Sequence, residues 1–179
     1  MTQFTLHTLE SAPEPSKPLL QDSVNTFGML PNLHAVMAES APHLQAYQTL
    51  HSLFLNSAFN SEEKTVVWQT INIEHNCHYC VPAHSAIAKS MGVADELTQA
   101  LRAHTALPTQ KLETLRTTVL QLVRNRGQLS EQEQQQFFAV GYTQQHLLDI
   151  ILGLAQKVMS NYVNHLAKTP LDQPFKAFI

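Results

Sequence analysis

The chain is 179 residues long and poor in charge, cysteine and glycine. Asp, Glu, Lys and Arg make up only 14% of it, against about 25% in ordinary soluble domains. The net charge is −3, so there is no basic excess to meet phosphates. That argues against a nucleic acid or an anionic membrane as partner. No apolar run approaches the ~18 residues of a membrane span. No positive start followed by an apolar stretch marks a secretory signal, so a cytoplasmic location is expected. Two cysteines, Cys77 and Cys80, are too few for a disulfide framework and leave one C-x-x-C dithiol. No segment sustains the period-two alternation of a strand.

What is present is helical punctuation. Ser40 precedes Ala41-Pro42, a cap with proline in the first turn. Ser61 precedes Glu62 and Glu63, the charge sign that a helix start favours. Asp95 to Ala103 is a short helix, Ser130 and Glu133 spell a capping box, and Thr143 opens a long helix. The apolar positions of that last helix, Leu147, Ile150, Ile151, Leu154, Val158, Tyr162 and Leu166, are expected to be core. Trp68 is likewise expected in the core or an interface. Pro13, Pro15 and Pro18 mark residues 1–25 as an extended arm. The expectation is an all-α fold: about eight helices in one domain over 26–179, preceded by that arm.

Chemistry concentrates in Ile73-Glu74-His75-Asn76-Cys77-His78-Tyr79-Cys80-Val81-Pro82-Ala83-His84. Pro82 fits a helix only in its first turn. The helix therefore starts at about Tyr79 or Cys80 and sets Cys80 at its positive end, where a thiolate is favoured. Cys77 is within disulfide reach, and His84 lies one turn beyond Cys80 on the same face. Glu74 ends an apolar helix, where burial and the helix dipole should raise its pKa and let it shuttle a proton. Its plainer reading is a cap or an ion pair with His75 or His78. Tyr79 reads as packing, and His75 and His78 as surface residues. A thioredoxin-like site would need a βαβ frame, which the helical reading excludes. Zinc held by Cys77, Cys80, His84 and His75 or His78 would crowd four ligands around one turn. A redox-active dithiol fits best. No cofactor box is read in the chain, so no cofactor is expected.

The pattern E-x-x-C-x-x-C-x-x-x-H, from Glu74 to His84, resembles the carboxymuconolactone decarboxylase family in its alkylhydroperoxidase D-like branch. Gly28-Met-Leu-Pro31-Asn32-Leu33, Arg124-Asn125-Arg126-Gly127, Gly141-Tyr142-Thr143 and Asn161-Tyr162-Val163-Asn164-His165 extend the likeness over roughly Phe27 to Asp172. The resemblance implies an all-α homo-oligomer, a trimer or a hexamer, that reduces a hydroperoxide with an external dithiol. It implies that Cys80 attacks the peroxide, Cys77 resolves the product as a disulfide and His84 assists. The family's glutamate twelve residues before the first cysteine is Thr65 here, and its histidine before the second cysteine is Tyr79. Relatives of another branch carry the acid three before the first cysteine, as Glu74 does. The decarboxylases of the family lack the cysteine pair. A cofactor-free lyase or isomerase using Glu74 and His84 as base and acid, and a non-enzymatic helical zinc module, are the alternatives.

Overall fold

The computed structural model describes residues 4–179. Nine α-helices are formed among them: α1 (Lys17–Phe27), α2 (Asn32–Met37), α3 (Ala41–Leu55), α4 (Ser61–Glu74), α5 (Cys80–Ser90), α6 (Asp95–Ala103), α7 (Gln110–Arg124), α8 (Glu131–Ala139) and α9 (Gln144–Ala167). Short 3-10 turns at Glu14–Ser16 and Gln173–Phe178 flank them, and no strand occurs among the described residues.

Helix α4 is the central post and packs against α5, α6, α7 and α9. Its start is fixed by a capping box: Asn60 accepts from the Glu63 N–H, and Glu63 accepts from the Asn60 N–H. The cap is therefore Asn60, one residue before the expected Ser61. Val66, Val67, Trp68 and Ile71 of α4 join Phe54, Leu115, Val119, Phe137 and Ile150 in the main core. A second apolar cluster collects Leu20, Leu33, Met37, Leu44 and Tyr47 around the two cysteines. The helices expected from Ser40, Asp95, Ser130 and Thr143 all form, the last two with complete capping boxes.

Two expectations are corrected. The N-terminal arm is irregular only over 4–8 and turns at 9–12, and α1 crosses the boundary expected at residue 25. Pro18 sits in the first turn of α1, where no backbone donor is needed, so it opens the helix and does not prevent it. The arm is also tied down, with the His7 N–H donating to Ala35 O at 3.2 Å and Ser16 Oγ to Ala38 O at 2.6 Å.

The second correction concerns α9. Of its expected core positions only Ile150 is buried. Ile151 is 43% exposed, Tyr162 53% and Leu166 71%. The inward face is Gly153, Gln156, Lys157, Ser160, Asn161 and Asn164. Gly153 permits this approach: a Cβ there would lie 2.7 Å from Phe54 Cε2. Polar residues point inward because each meets a buried hydrogen-bonding partner. Trp68 Nε1 donates to Gln156 Oε1 at 2.8 Å, and Asn161 Nδ2 donates to Asn72 Oδ1 at 3.0 Å.

Candidate active site around the C-x-x-C

The chain reverses sharply between α4 and the dithiol. Asn76 adopts a left-handed conformation with φ of 50°. The Asn76 N–H returns to Ile73 O and the Cys77 N–H to Asn72 O, each at 2.9 Å, which closes the last turn of α4. Asparagine tolerates this backbone better than most side chains. The turn brings Cys77 back over α4, and α5 begins at Cys80 as the proline register requires.

Both sulfurs are buried and reduced. The Cys80 N–H donates to Cys77 Sγ at 3.3 Å. Asn164 Nδ2, from the inward face of α9, donates to Cys80 Sγ at 3.2 Å. Burial pushes the Cys80 thiol up, but it is outweighed by the Cys77 thiol, the Lys157 charge and the Asn164 and Asn161 amides. The net effect holds Cys80 below the ordinary thiol range. Cys77 moves the opposite way, because its thiol proton is given to Cys80 and because it is buried. The two thiols are thus driven apart: Cys80 is the more acidic of the pair and Cys77 the less.

Cys80 lines a cleft of about 900 Å³ between α1, α2, α3 and α5. Fully buried Lys157 and nearly buried His84 lie with it at the deep end, and Phe27 and Leu53, both substantially exposed, lie at the rim. Lys157 Nζ donates to His84 Nε2 at 2.6 Å. With the lysine charged, Nε2 is the acceptor and the ring proton lies on Nδ1, which is buried and has no partner among the described residues. The His84 ring meets Trp68 edge-on, centroids 4.8 Å apart. His34 and His51 also line the cleft. Burial lowers His34 to about 3 and His51 to about 4, and it takes His84 well below its ordinary value. All three are therefore neutral at pH 7.

The residues expected at the site separate into two groups. Cys77, Cys80 and His84 sit beside the amides and the lysine of α9. Glu74 does not line the cleft. Its two carboxylate oxygens accept from Arg124 Nε at 2.7 Å and Nη2 at 2.8 Å, tying the end of α4 to the end of α7. The expected raised pKa is overturned: the Arg124 hydrogen bonds hold the Glu74 carboxyl below its ordinary value. The lyase alternative thus keeps only His84 of its acid–base pair in the cleft. His75 and His78 are less idle than expected. His75 Nδ1 is 2.8 Å from Asn161 Oδ1, and His78 Nε2 donates to Thr169 O at 2.9 Å. Tyr79 packs edge-on to Phe175 and donates its hydroxyl to Asp172 Oδ2. Asp172 also accepts from the Asn32 N–H at 3.1 Å. Both residues between the cysteines are therefore anchored by the C-terminal segment. Among the described residues no three His, Cys, Asp or Glu side chains converge to hold a metal ion, so the zinc module has no ligand set.

Lys157, Asn161 and Asn164 were not expected at the site. Their signal is a second helical periodicity: Gln156, Lys157, Ser160, Asn161 and Asn164 recur at three- and four-residue steps, parallel to the apolar stripe.

No protein-family model matches the chain, and no curated protein matches its sequence. Solved structures do match its fold. One is an uncharacterized peroxidase-related protein from Ralstonia eutropha JMP134, described as an alkylhydroperoxidase AhpD core. It has a TM-score of 0.83 and 16% identity, over 98% of this chain and 96% of that one. An uncharacterized peroxidase-related protein from Silicibacter sp. TM1040 gives 0.81 and 16%, over 97% and 95%. The debrominase Bmp8, solved in complex with 2,3,4-tribromopyrrole, gives 0.79 and 17%, over 99% and 96%. The chain therefore has the helical fold of the alkylhydroperoxidase D-like proteins.

Proposed function

We propose that the protein is a thiol-dependent peroxidase in which Cys80 and Cys77 cycle between dithiol and disulfide. The observation that carries this reading is the asymmetric pair: a buried cysteine at a helix start, its Sγ accepting from an amide at 3.2 Å and its thiol lowered, beside a second cysteine whose thiol is raised. The Cys80 thiolate attacks a peroxide oxygen, so that an S–O bond forms and the O–O bond breaks. Cys77 then attacks the sulfenic sulfur, a disulfide forms and water leaves. An external dithiol reopens the disulfide by exchange, which suits a reducing compartment such as the cytoplasm.

A cleft of about 900 Å³ is far larger than hydrogen peroxide needs and favours an organic hydroperoxide. It also has room for an aromatic ring. The same two-electron couple serves a second reading, reductive dehalogenation, in which a carbon–halogen bond becomes carbon–hydrogen and halide leaves. The exposed apolar side of α9, with Leu148, Ile151, Tyr162 and Leu166, supports assembly with further copies of the chain as a trimer or hexamer.

The test is consumption of cumene hydroperoxide with a dithiol reductant, and halide release from a brominated pyrrole in parallel. Wild type should consume peroxide catalytically, Cys80→Ser should not, and Cys77→Ser should stall after one turnover. Halide release without peroxide consumption would transfer the site to dehalogenation. Activity in neither assay would overturn the redox reading.

A further inference from the structure

Lys157 is the cation that the redox cycle has not used. It is fully buried, and none of the ion pairs among the described residues includes it. Burying an ammonium without an anion is costly, and such a group ordinarily gives up its proton. The titratable groups around it and Cys80 are His84 from α5, Cys77 from the preceding loop, and His51 and Tyr47 from α3, the last raised by burial and neutral. His84 and His51 are neutral, and Cys77 keeps its proton. Among the described residues, the one negative charge available to Lys157 is a Cys80 thiolate. Burial lowers Lys157, and the cysteines oppose that shift. The single hydrogen bond that Lys157 Nζ makes among the described residues leads to His84 Nε2, and the opposite ring nitrogen, Nδ1, is buried and unpartnered there, in the residue that lines the cleft beside Cys80.

We propose that Lys157 is the counter-ion of the Cys80 thiolate and the store of the proton that departs with the reduced substrate, passed on through His84. The delivery step rests on the peroxidase reading. As the thiolate displaces alkoxide from a hydroperoxide, sulfur is oxidised to sulfenic acid and the O–O bond is reduced. The alkoxide takes the Nδ1 proton of His84, while Lys157 gives a proton to Nε2. Thiolate, ammonium and hydroperoxide thus become sulfenic acid, amine and alcohol, with charge balanced on both sides. Losing the thiolate removes the only anion that kept Lys157 protonated, so the donor becomes acidic in the step that needs the proton. Condensation with the Cys77 thiol then expels water. When the external dithiol reopens the disulfide, Cys80 leaves as thiolate and Lys157 takes back the proton. Lys157 acts through His84 and is a positioning residue; His84 is the group that meets the substrate.

Two measurements on Lys157→Met and Lys157→Gln test this, each variant checked for native helical content. The first is the pH dependence of Cys80 alkylation by iodoacetamide in the reduced protein, located by peptide mass. Without the counter-ion the midpoint should rise by about one pH unit or more. An unchanged midpoint in a folded variant overturns the ion pair. The second compares tert-butyl hydroperoxide with peracetic acid, above the alkylation midpoint of every variant. The alkoxide needs a proton and the carboxylate does not. Lys157→Met should therefore slow the alkyl hydroperoxide by roughly 10²-fold, in kcat more than in KM, and the peracid far less. Equal slowing of both substrates overturns proton delivery. A wild type inert towards both overturns the peroxidase reading and delivery together, and the alkylation arm still decides the ion pair.

Discussion

Replacing Asn164 with alanine deletes the amide that donates to Cys80 Sγ at 3.2 Å and leaves the rest of the site in place. A hydrogen bond to a charged group contributes about 1.5–3 kcal/mol. One pH unit corresponds to about 1.4 kcal/mol. The thiolate midpoint should therefore move up by about one to two pH units. Solvent does not screen the loss, because Cys80 is only 1% exposed. Asn164 Oδ1 is buried without a partner, so the substitution also removes an unsatisfied acceptor. The assay is the ultraviolet absorbance of the thiolate across a pH titration, checked by alkylation rate at neutral pH. Stability gives an independent sign. A thiol whose folded pKa lies below the unfolded value of about 8.5 stabilises the fold fully above that pH. It loses the contribution as pH falls through the folded midpoint. In Asn164→Ala the window between the two midpoints narrows, and the pH slope of the urea midpoint in that range should flatten. A titration that superimposes on wild type would refute the assignment of Asn164 as the donor that holds the thiolate.

Gly153→Ala forces a methyl against the Phe54 ring, which is fully buried and sits 4.8 Å from the Trp68 ring. Overpacking of this kind costs about 1–3 kcal/mol, and alanine's helix preference offsets about 1 kcal/mol of it. Urea denaturation should show a net loss of about 1 kcal/mol, and a stabilised variant would refute the tight contact of α3 with α9. His34, His51 and His84 are all lowered by burial, so each stabilises the protein fully above about pH 6.5 and loses that contribution as pH falls towards its folded value. Between pH 7 and 5 the loss is of the order of 2 kcal/mol for His34 and for His51. That is a large share of a total of about 5–15 kcal/mol, so the urea midpoint should collapse by pH 5; a flat profile would show that the three rings accept protons while buried. Glu74→Gln breaks only the pair with Arg124 and should leave the alkylation profile of Cys80 unchanged, whereas an upward move would return the carboxylate to the site.

The legible parts of the molecule were those that obey short-range rules. The capping box of Ser130 with Glu133 and the position of Cys80 at the head of α5 depend on residues within a turn of each other. Helix α1 is hidden because Pro13, Pro15 and Pro18 read as an extended arm, although a proline in a first turn starts a helix equally well. The role of Glu74 is not legible locally, because its partner is 50 residues away and nothing nearby announces Arg124. On α9 two stripes compete. Burial of apolar surface ordinarily decides which turns inward. Here the polar stripe wins because Trp68, Asn72, His84 and Cys80 present donors and acceptors that only it satisfies. That choice is made by the assembled core and is not visible in the helix alone.

The anchoring of the dithiol by late parts of the chain has a consequence for biosynthesis. Lys157 follows His84 by 73 residues, Asn164 follows Cys80 by 84, and Asp172 follows Tyr79 by 93. At synthesis rates of about 5–20 residues per second, the cysteines exist for roughly 4–20 s before the groups that tune them. Through that interval they are ordinary thiols, mostly protonated near neutral pH. The groups that lower the Cys80 thiol reach it only when α9 docks and the C-terminal segment packs on Tyr79. A nascent chain therefore carries the whole C-x-x-C motif well before it carries the contacts that set the two thiols apart.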